Sequence, residues 1–424
     1  MSLFDNNGIV NVYRKNDKKS IWFSERIDLF LVLSLLILLA APLITGSVSR
    51  SAALNKLTKL TLSPRCAELF GRDLTEALLR EFEERNPDLR IILSDGDASS
   101  QTGPDILIFD EGDFYGLTKN KALVSLESYI DYDTGEMYAL PLVSFMDLLF
   151  YNIDLLKAAG FDRPPKTREE FLNYAKTISG NTSGSYGTAL SLSPADRQAM
   201  SRDIFSWIWA AGGDFWQTEG KPVINSRAII TDISFLGSLY REGVPAPLSF
   251  YTTGEQRLEE FANGKIAMMV ASTRSIPALR ERMGDDAFSI TTIPGSGSAG
   301  KYSIGISSFY TGISAACAYP EEAWSFLEFL AERSPFLCEE LKAVPGIVSD
   351  LFFGNYIKDD PFYSKARDIF DSSQIVYGFS GKPDAEELET AVLEEMRVFF
   401  ETGRTAQETA NAIQWRWDMF FLYE

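Results

Sequence analysis

Residues 59–110, KLTLSPRCAELFGRDLTEALLREFEERNPDLRIILSDGDASSQTGPDILIFD, decide the fold class. Lys59–Leu62 is a strand-length run ended by Ser63-Pro64. Leu69, Leu74, Ala77, Leu78 and Phe82 then recur at helical spacing until Asn86-Pro87 stops the pattern. Leu89–Leu93 and Ile106–Phe109 are two further apolar runs. Strands alternating with helices predict an α/β layer with a largely parallel sheet. Such sheets bind ligands beyond the carboxyl ends of their strands. Asp95, Asp97, Asp110 and Asp113, which follow the runs, are therefore the residues to watch.

Outward from this stretch, a second α/β unit follows. Thr167 is a helix cap for Arg168–Ile178, with Glu170 placed to complete a capping box. A helix ending at Ala211 meets Gly212-Gly213, and Asn225-Ser226 opens another that runs to Tyr240. Residues 264–271, GKIAMMVA, read as a buried strand, and 296–300, SGSAG, as a surface turn. Pro320 begins a patterned helix over Glu321–Glu332. Two amphipathic helices, Ala385–Glu401 and Ala406–Phe421, close the chain.

At 424 residues the chain is long enough for about two domains, and 45% hydrophobic with 23% charged residues is a globular composition. The formal net charge of −19 disfavours nucleic acid, whose phosphates call for Lys and Arg. There is no histidine, which removes His-based triads, general bases and metal sites. Cys66, Cys317 and Cys338 match no zinc or redox spacing, and the odd count leaves at least one free thiol. A Cys317–Cys338 bridge is compatible with the sequence, as is burial of all three as small hydrophobes.

Leu29 to Ile44, LFLVLSLLILLAAPLI, is apolar apart from Ser34 and Pro42 and follows Arg14, Lys15, Lys18, Lys19 and Arg26. Basic residues before an apolar segment mark a cytoplasmic flank. The run is short of the ~20 residues of a spanning helix, while the leader of residues 1–28 is long for a signal peptide. Residues 29–45 are therefore expected to be a signal peptide or a membrane anchor. Both place the following residues outside the cytoplasmic membrane.

Seven blocks in order carry a family resemblance. They are Gly103-Pro-Asp-Ile-Leu-Ile-Phe-Asp110; Gly135-Glu-Met-Tyr-Ala-Leu-Pro141; Leu149-Phe-Tyr-Asn152 with Leu155-Leu-Lys-Ala-Ala-Gly160; Pro164-Pro-Lys-Thr-Arg-Glu-Glu-Phe171; Trp209-Ala-Ala-Gly-Gly213; Phe261-Ala-Asn-Gly-Lys-Ile-Ala-Met-Met269; and Tyr319-Pro-Glu-Glu-Ala-Trp-Ser-Phe-Leu327. From about residue 59 onward the chain resembles the extracellular solute-binding proteins of ABC importers, in the maltose-binding-like, sugar-binding family 1. The resemblance implies a two-lobed periplasmic-binding-protein fold, type II-like, with a hinge, behind an N-terminal hydrophobic helix. Lobe 1 is expected over 57–143 plus 303–342 and lobe 2 over 144–302 plus 343–424. Crossings are expected near Pro141–Ser144, Lys301–Ile306 and Val344–Ile347. The implied protein is a monomer that needs no cofactor or metal, holds a small solute (a saccharide) between its lobes, and meets ABC permease subunits at the membrane. Closure over the ligand would be the signal the transporter reads.

The chain departs from the family's pattern at three points. Ser94 to Gly103 leaves only a polar loop where a further helix usually stands, which implies an open cleft wall or a different strand order. No lipid-attachment cysteine follows the apolar segment. Arg274 occupies a position where relatives often carry an aromatic, which points to a polar or anionic contact.

Sugars present apolar C–H faces and rings of hydroxyls, so their receptors combine aromatic platforms with carboxylates, amides or Arg. On that basis the candidate ligand-binding residues are Phe109, Asp110 and Asp113 after the third strand, and Phe145 at the first crossing. Trp207, Trp209, Asp214 and Trp216 surround the Gly212-Gly213 turn. Trp207 and Trp209 lie two apart and cannot share a helix face, so at least one belongs to the core. Arg274, Phe309 and Tyr310 complete the set. Rival readings are a receptor for a non-sugar solute, a sensor subunit, and a secreted carbohydrate hydrolase using paired carboxylates. No nucleophile elbow, P-loop or metal motif supports the last.

Overall fold

The computed structural model describes residues 57–94, 103–129, 137–181, 184–216, 221–295, 302–341, 344–345, 360–376, 378–379 and 384–422. The apolar run at Leu29–Ile44 and the turn at 296–300 lie outside the described residues. Among those described, no helix is long and apolar enough to cross a membrane.

The opening stretch folds as strand β1 (Thr58–Leu62), helices α1 (Arg65–Phe70) and α2 (Arg72–Arg85), and strands β2 (Leu89–Leu93) and β3 (Ile106–Asp110). The single expected helix is two, because Gly71 between them takes φ 81, a backbone that side-chain-bearing residues avoid. β1 pairs in parallel with β2 on one side and β3 on the other. β1 thus lies between β2 and β3, which are not neighbours. Next come α3 (Glu111–Lys119), β4 (Leu140–Asn152), α4 (Ile153–Ala158), α5 (Arg168–Asn181), β5 (Tyr186–Thr188), α6 (Arg197–Ala210) and α7 (Arg227–Arg241). α8 (Gly254–Ala262), β6 (Ile266–Ser272), α9 (Ile276–Met283) and β7 (Phe288–Thr291) follow. The chain ends with β8 (Tyr302–Ile313), α10 (Pro320–Leu341), β9 (Val344–Pro345), α11 (Pro361–Ser372), β10 (Ser373–Val376), α12 (Ala385–Thr402) and α13 (Ala406–Leu422).

The helices start where polar side chains can take up free backbone N–H groups. Asp196 accepts from Ala199 N, Ser226 from Ile229 N, and Thr253 with Gln256 forms a reciprocal capping box. At α5 the expected box is half made. Thr167 accepts from Glu170 N at 3.2 Å, but the Glu170 carboxylate grips Arg163 through two bonds of 2.7 and 2.8 Å.

β4 and β8 organise the molecule. They pair antiparallel from Leu140↔Thr311 to Met146↔Ile306, and the sheet runs β2-β1-β3-β8-β4-β6-β5. The front of β4, with Leu142 and Val143, belongs to a core with Leu60, Phe82, Ile108, Phe326 and Leu330. Further along, Leu149 and Tyr151 face a core built with Phe171, Trp207, Ile233, Val392 and Trp417. The alternate residues Met146, Leu148 and Phe150 face a third cluster with Phe261, Phe288 and Phe362. Alternation with period two lets one strand serve cores on both faces of the sheet. Where the strands cross from the first core to the second, Ser144 and Ser308 share a buried hydroxyl hydrogen bond of 2.7 Å. β9 pairs with the same place, Val143 and Ser144. All three cysteines are free, and burial pushes the Cys66 thiol up to about 12.

Candidate functional site: a cleft beside the crossing strands

A cavity of ≈ 330 Å³ opens where β3, β8, α6 and the start of α12 meet. One wall is aromatic. Trp209 and Phe205 from α6 lie 5.5 Å apart, Phe379 stands edge-on to Phe205 at 5.6 Å, and Phe309 comes from β8. The Trp209 ring is clasped by two glycines. A Cβ on Gly305 would fall 2.5 Å from Trp209 Cζ3, and one on Gly378, at φ 58, 2.9 Å from Cζ2. Trp209 is 8% exposed, and its indole N–H is buried with no partner among the described residues.

The other wall is polar. Arg202 Nε donates to Asp147 Oδ1 at 3.0 Å, Ser201 donates to Glu389, and Asp110, Gln198 and Ser307 stand nearby. Burial pushes the Asp147 carboxyl above its ordinary range, with Arg202 pulling it back. Glu389 is raised by burial as well, opposed by the Ser201 hydrogen bond and by Arg197. Asp110 caps α3 by accepting from Gly112 N at 2.9 Å and lies 3.7 Å from Arg65. Among the described residues no group of three or more Cys, Asp or Glu converges so as to hold a metal ion.

Of the residues singled out from sequence, Asp110, Trp209 and Phe309 line this cavity. Arg274 stands beside it, its guanidinium 5.7 Å from the Phe309 ring and 5.8 Å from Phe145. Asp113 pairs with Arg65 next to Asp110; burial and then Asp110 raise its carboxyl, against the pull of Arg65. Trp216 braces the cavity from behind, donating from Nε1 to Gly378 O at 3.0 Å and standing edge-on to Phe379. Asp214 is exposed and accepts from Trp216 N, a local turn contact.

Four aromatics belong elsewhere. Trp207 is 1% exposed and edge-on to Phe171, because α6 turns it to the opposite side from Trp209. Phe109 is stacked under Tyr310 in a small cluster with Leu107 and Leu123, on the covered face of β3. Tyr310 covers that cluster, while Phe309, its neighbour on β8, packs toward the first core and the cavity. Phe145 is a core residue that meets the cleft only through the rings and guanidinium above it.

Asp147, Arg202, Ser201, Phe379 and Glu389 were not read from sequence. Asp147 had a signal: it is the single charge in the apolar run 142–150, LVSFMDLLF, and a buried lone carboxylate needs a partner. Ser201 and Glu389 lie 188 residues apart, and nothing local announces their meeting.

An α/β fold built on strands that pass from one core to the next, with a mixed aromatic and polar cavity beside the crossing, has the architecture of a solute-binding protein. The family model for bacterial extracellular solute-binding proteins matches residues 71–334, and the chain belongs to that family. It is 25% identical over 253 residues to the sn-glycerol-3-phosphate-binding periplasmic protein UgpB of Escherichia coli strain K12, covering 50% of this chain and 56% of that protein. A binding protein of Brucella abortus is 23% identical over 279 residues, covering 59% and 65%. The matched stretch thus spans less than two thirds of these relatives. Among solved structures, maltose-bound MalE3 of T. maritima aligns with TM-score 0.70 at 18% identity, over 85% of this chain and 99% of that one. UgpB of Mycobacterium tuberculosis in complex with glycerophosphocholine gives 0.70 at 17%, over 86% and 98%. Likeness at this level of identity shows the shared fold.

Proposed function

We propose that this protein is the substrate-binding subunit of an ABC importer. It captures a neutral saccharide between a lobe of residues 57–143 with 303–342 and a lobe of 144–302 with 343–424, and hands it to a membrane permease. It works outside the cytoplasmic membrane, held by residues 29–45. The observation that carries the ligand class is the composition of the cavity. Trp209, Phe205, Phe309 and Phe379 offer flat faces, while Asp110, Asp147, Arg202 and Glu389 offer hydrogen bonds to hydroxyls. Three carboxylates against one guanidinium in the lining repel an anion, so a neutral polyol fits better than a glycerol phosphate.

The test is the melting temperature of the purified full-length chain, in detergent, with neutral mono- and oligosaccharides, sn-glycerol-3-phosphate and glycerophosphocholine. A neutral saccharide is expected to raise it and to be recovered intact. Stabilisation by the phosphate compounds alone would overturn the ligand class.

A further inference from the structure

Arg274 is exposed and, among the described residues, is joined to no carboxylate. Its backbone is pinned to the crossing. Ser272 Oγ accepts from Arg274 N at 3.3 Å, and the neighbouring Thr273 Oγ1 accepts from Met146 N of β4 at 3.0 Å. The guanidinium rests on the rings of Phe145 and Phe309, a weaker hold than a charge-assisted hydrogen bond to a carboxylate. Phe309 stands opposite Asp110 in the β3–β8 register and opposite Val143, two residues before Phe145, in the β4–β8 register. Opposed residues, and residues two apart on a strand, share one face of a sheet. Asp110, Phe145, Phe309 and the Arg274 guanidinium therefore lie on the same face, with Phe309 beside both charges.

The charges around Asp110 do not balance. Arg65 bonds Asp113 and stands 3.7 Å from Asp110, so one guanidinium serves two carboxylates and favours Asp113. We infer that Arg274 and Asp110 form a latch between the lobes. On closure the Arg274 guanidinium leaves the Phe309 ring and pairs with Asp110, while Arg65 keeps Asp113. The inference rests on the two-lobed reading above, in which Asp110 belongs to 57–143 and Arg274 to 144–302, and adds the residues that hold the closed form. The contact is protein to protein, so it asks for no charge on the solute. It also answers one of the carboxylates that line the cavity. Both partners are reached by water and salt, so the pair is modest in strength and screened at high ionic strength. That suits a receptor that must open again to release its solute.

The experiment has two arms, both on the full-length chain. The first needs no ligand. Asp110→Cys with Arg274→Cys, in a Cys317→Ser background that leaves only the buried Cys66 and Cys338, is treated with a short bifunctional thiol reagent. Asp110→Cys with Arg282→Cys, at the far end of α9, is the control. The first pair is expected to cross-link and to lower the radius of gyration in solution scattering, and the control to do neither. Failure to cross-link, or a cross-linked chain of unchanged radius, overturns the latch. The second arm is a double-mutant cycle of Arg274→Gln and Asp110→Asn, titrated by calorimetry with glucose, maltose, mannobiose and xylobiose. Asparagine also caps helices, so Asp110→Asn keeps the start of α3. At low salt Arg274→Gln should weaken binding about fivefold. The loss should shrink at high salt and vanish in the Asp110→Asn background. An equal loss in both backgrounds means that Arg274 touches the sugar itself and overturns the latch, as does no loss at all. Absence of binding by every sugar overturns the saccharide reading and leaves the latch to be decided by the cross-link.

Discussion

Asp203 is 5% exposed, accepts from Ser191 N, and is pushed up to about 7, chiefly by burial. An unfolded aspartate titrates near ~3.9, so the folded state holds this proton more tightly. Its contribution to stability is complete below about pH 4 and is lost as pH rises through 7. Asp203→Asn keeps an acceptor for Ser191 and cannot titrate. The fall in melting temperature of the parent between pH 5 and pH 8 should therefore be smaller in the variant. A second residue-scale prediction concerns Arg168 and Asp232, 5% and 3% exposed and joined at 2.7 Å. Arg168→Met strands Asp232 in the core and should cost about 3–5 kcal/mol in denaturant unfolding. At this scale the sequence was half legible. The Trp207/Trp209 spacing showed that one ring had to be core, but which one depends on how α6 sits on the sheet. Glu389 and Phe379 could not be found, because the contacts that bring them to α6 join segments far apart along the chain.

Strands and helices were more legible than side-chain partnerships. α7, α12 and α13 fall within a residue or two of their expected limits and α6 ends within one of its expected end, since cap residues and 3.6-residue periodicity are local signals. β4 was missed as one element. Pro141 interrupts its pattern, and the register shifts between Pro141 and Val143, so the strand tolerates a proline by bulging there. β8 makes the element-scale prediction. Gly305→Ala would drive a methyl into Trp209, whose ring is already held by Gly378 on another side. The expected outcome is a loss of about 1–3 kcal/mol in stability. Ligand affinity should fall at least tenfold in the same variant, measured by calorimetry, if the displaced ring is the aromatic platform proposed above.

For the molecule as a whole, closure about β4 and β8 should reduce the radius of gyration in solution scattering when a saturating saccharide is added. Ligand at 100 times its Kd should also add about 2.7 kcal/mol to the unfolding free energy. The net charge of −19 creates a long-range field, but a neutral sugar does not feel it. Association rates with such a ligand should accordingly change little between low and high salt, whereas a charged ligand would respond steeply. The two-lobed architecture was the most legible level of all, because ordered blocks spread along the chain average over local ambiguities.

The pairing of β3 with β8, residues 106–110 against 309–313, carries a consequence for how the protein is made. A ribosome delivers the N-terminus first, so β1, α2 and β3 emerge long before β8 and α10, which complete their sheet and cover their apolar side. Everything from α4 to β7 must be synthesised in between. Such distant contacts form slowly, and the first lobe cannot lock until residue 313 has appeared. The sheet of β1, β2 and β3 is therefore expected to stay incomplete through most of translation, the condition in which a polypeptide can still be threaded through a narrow secretion channel.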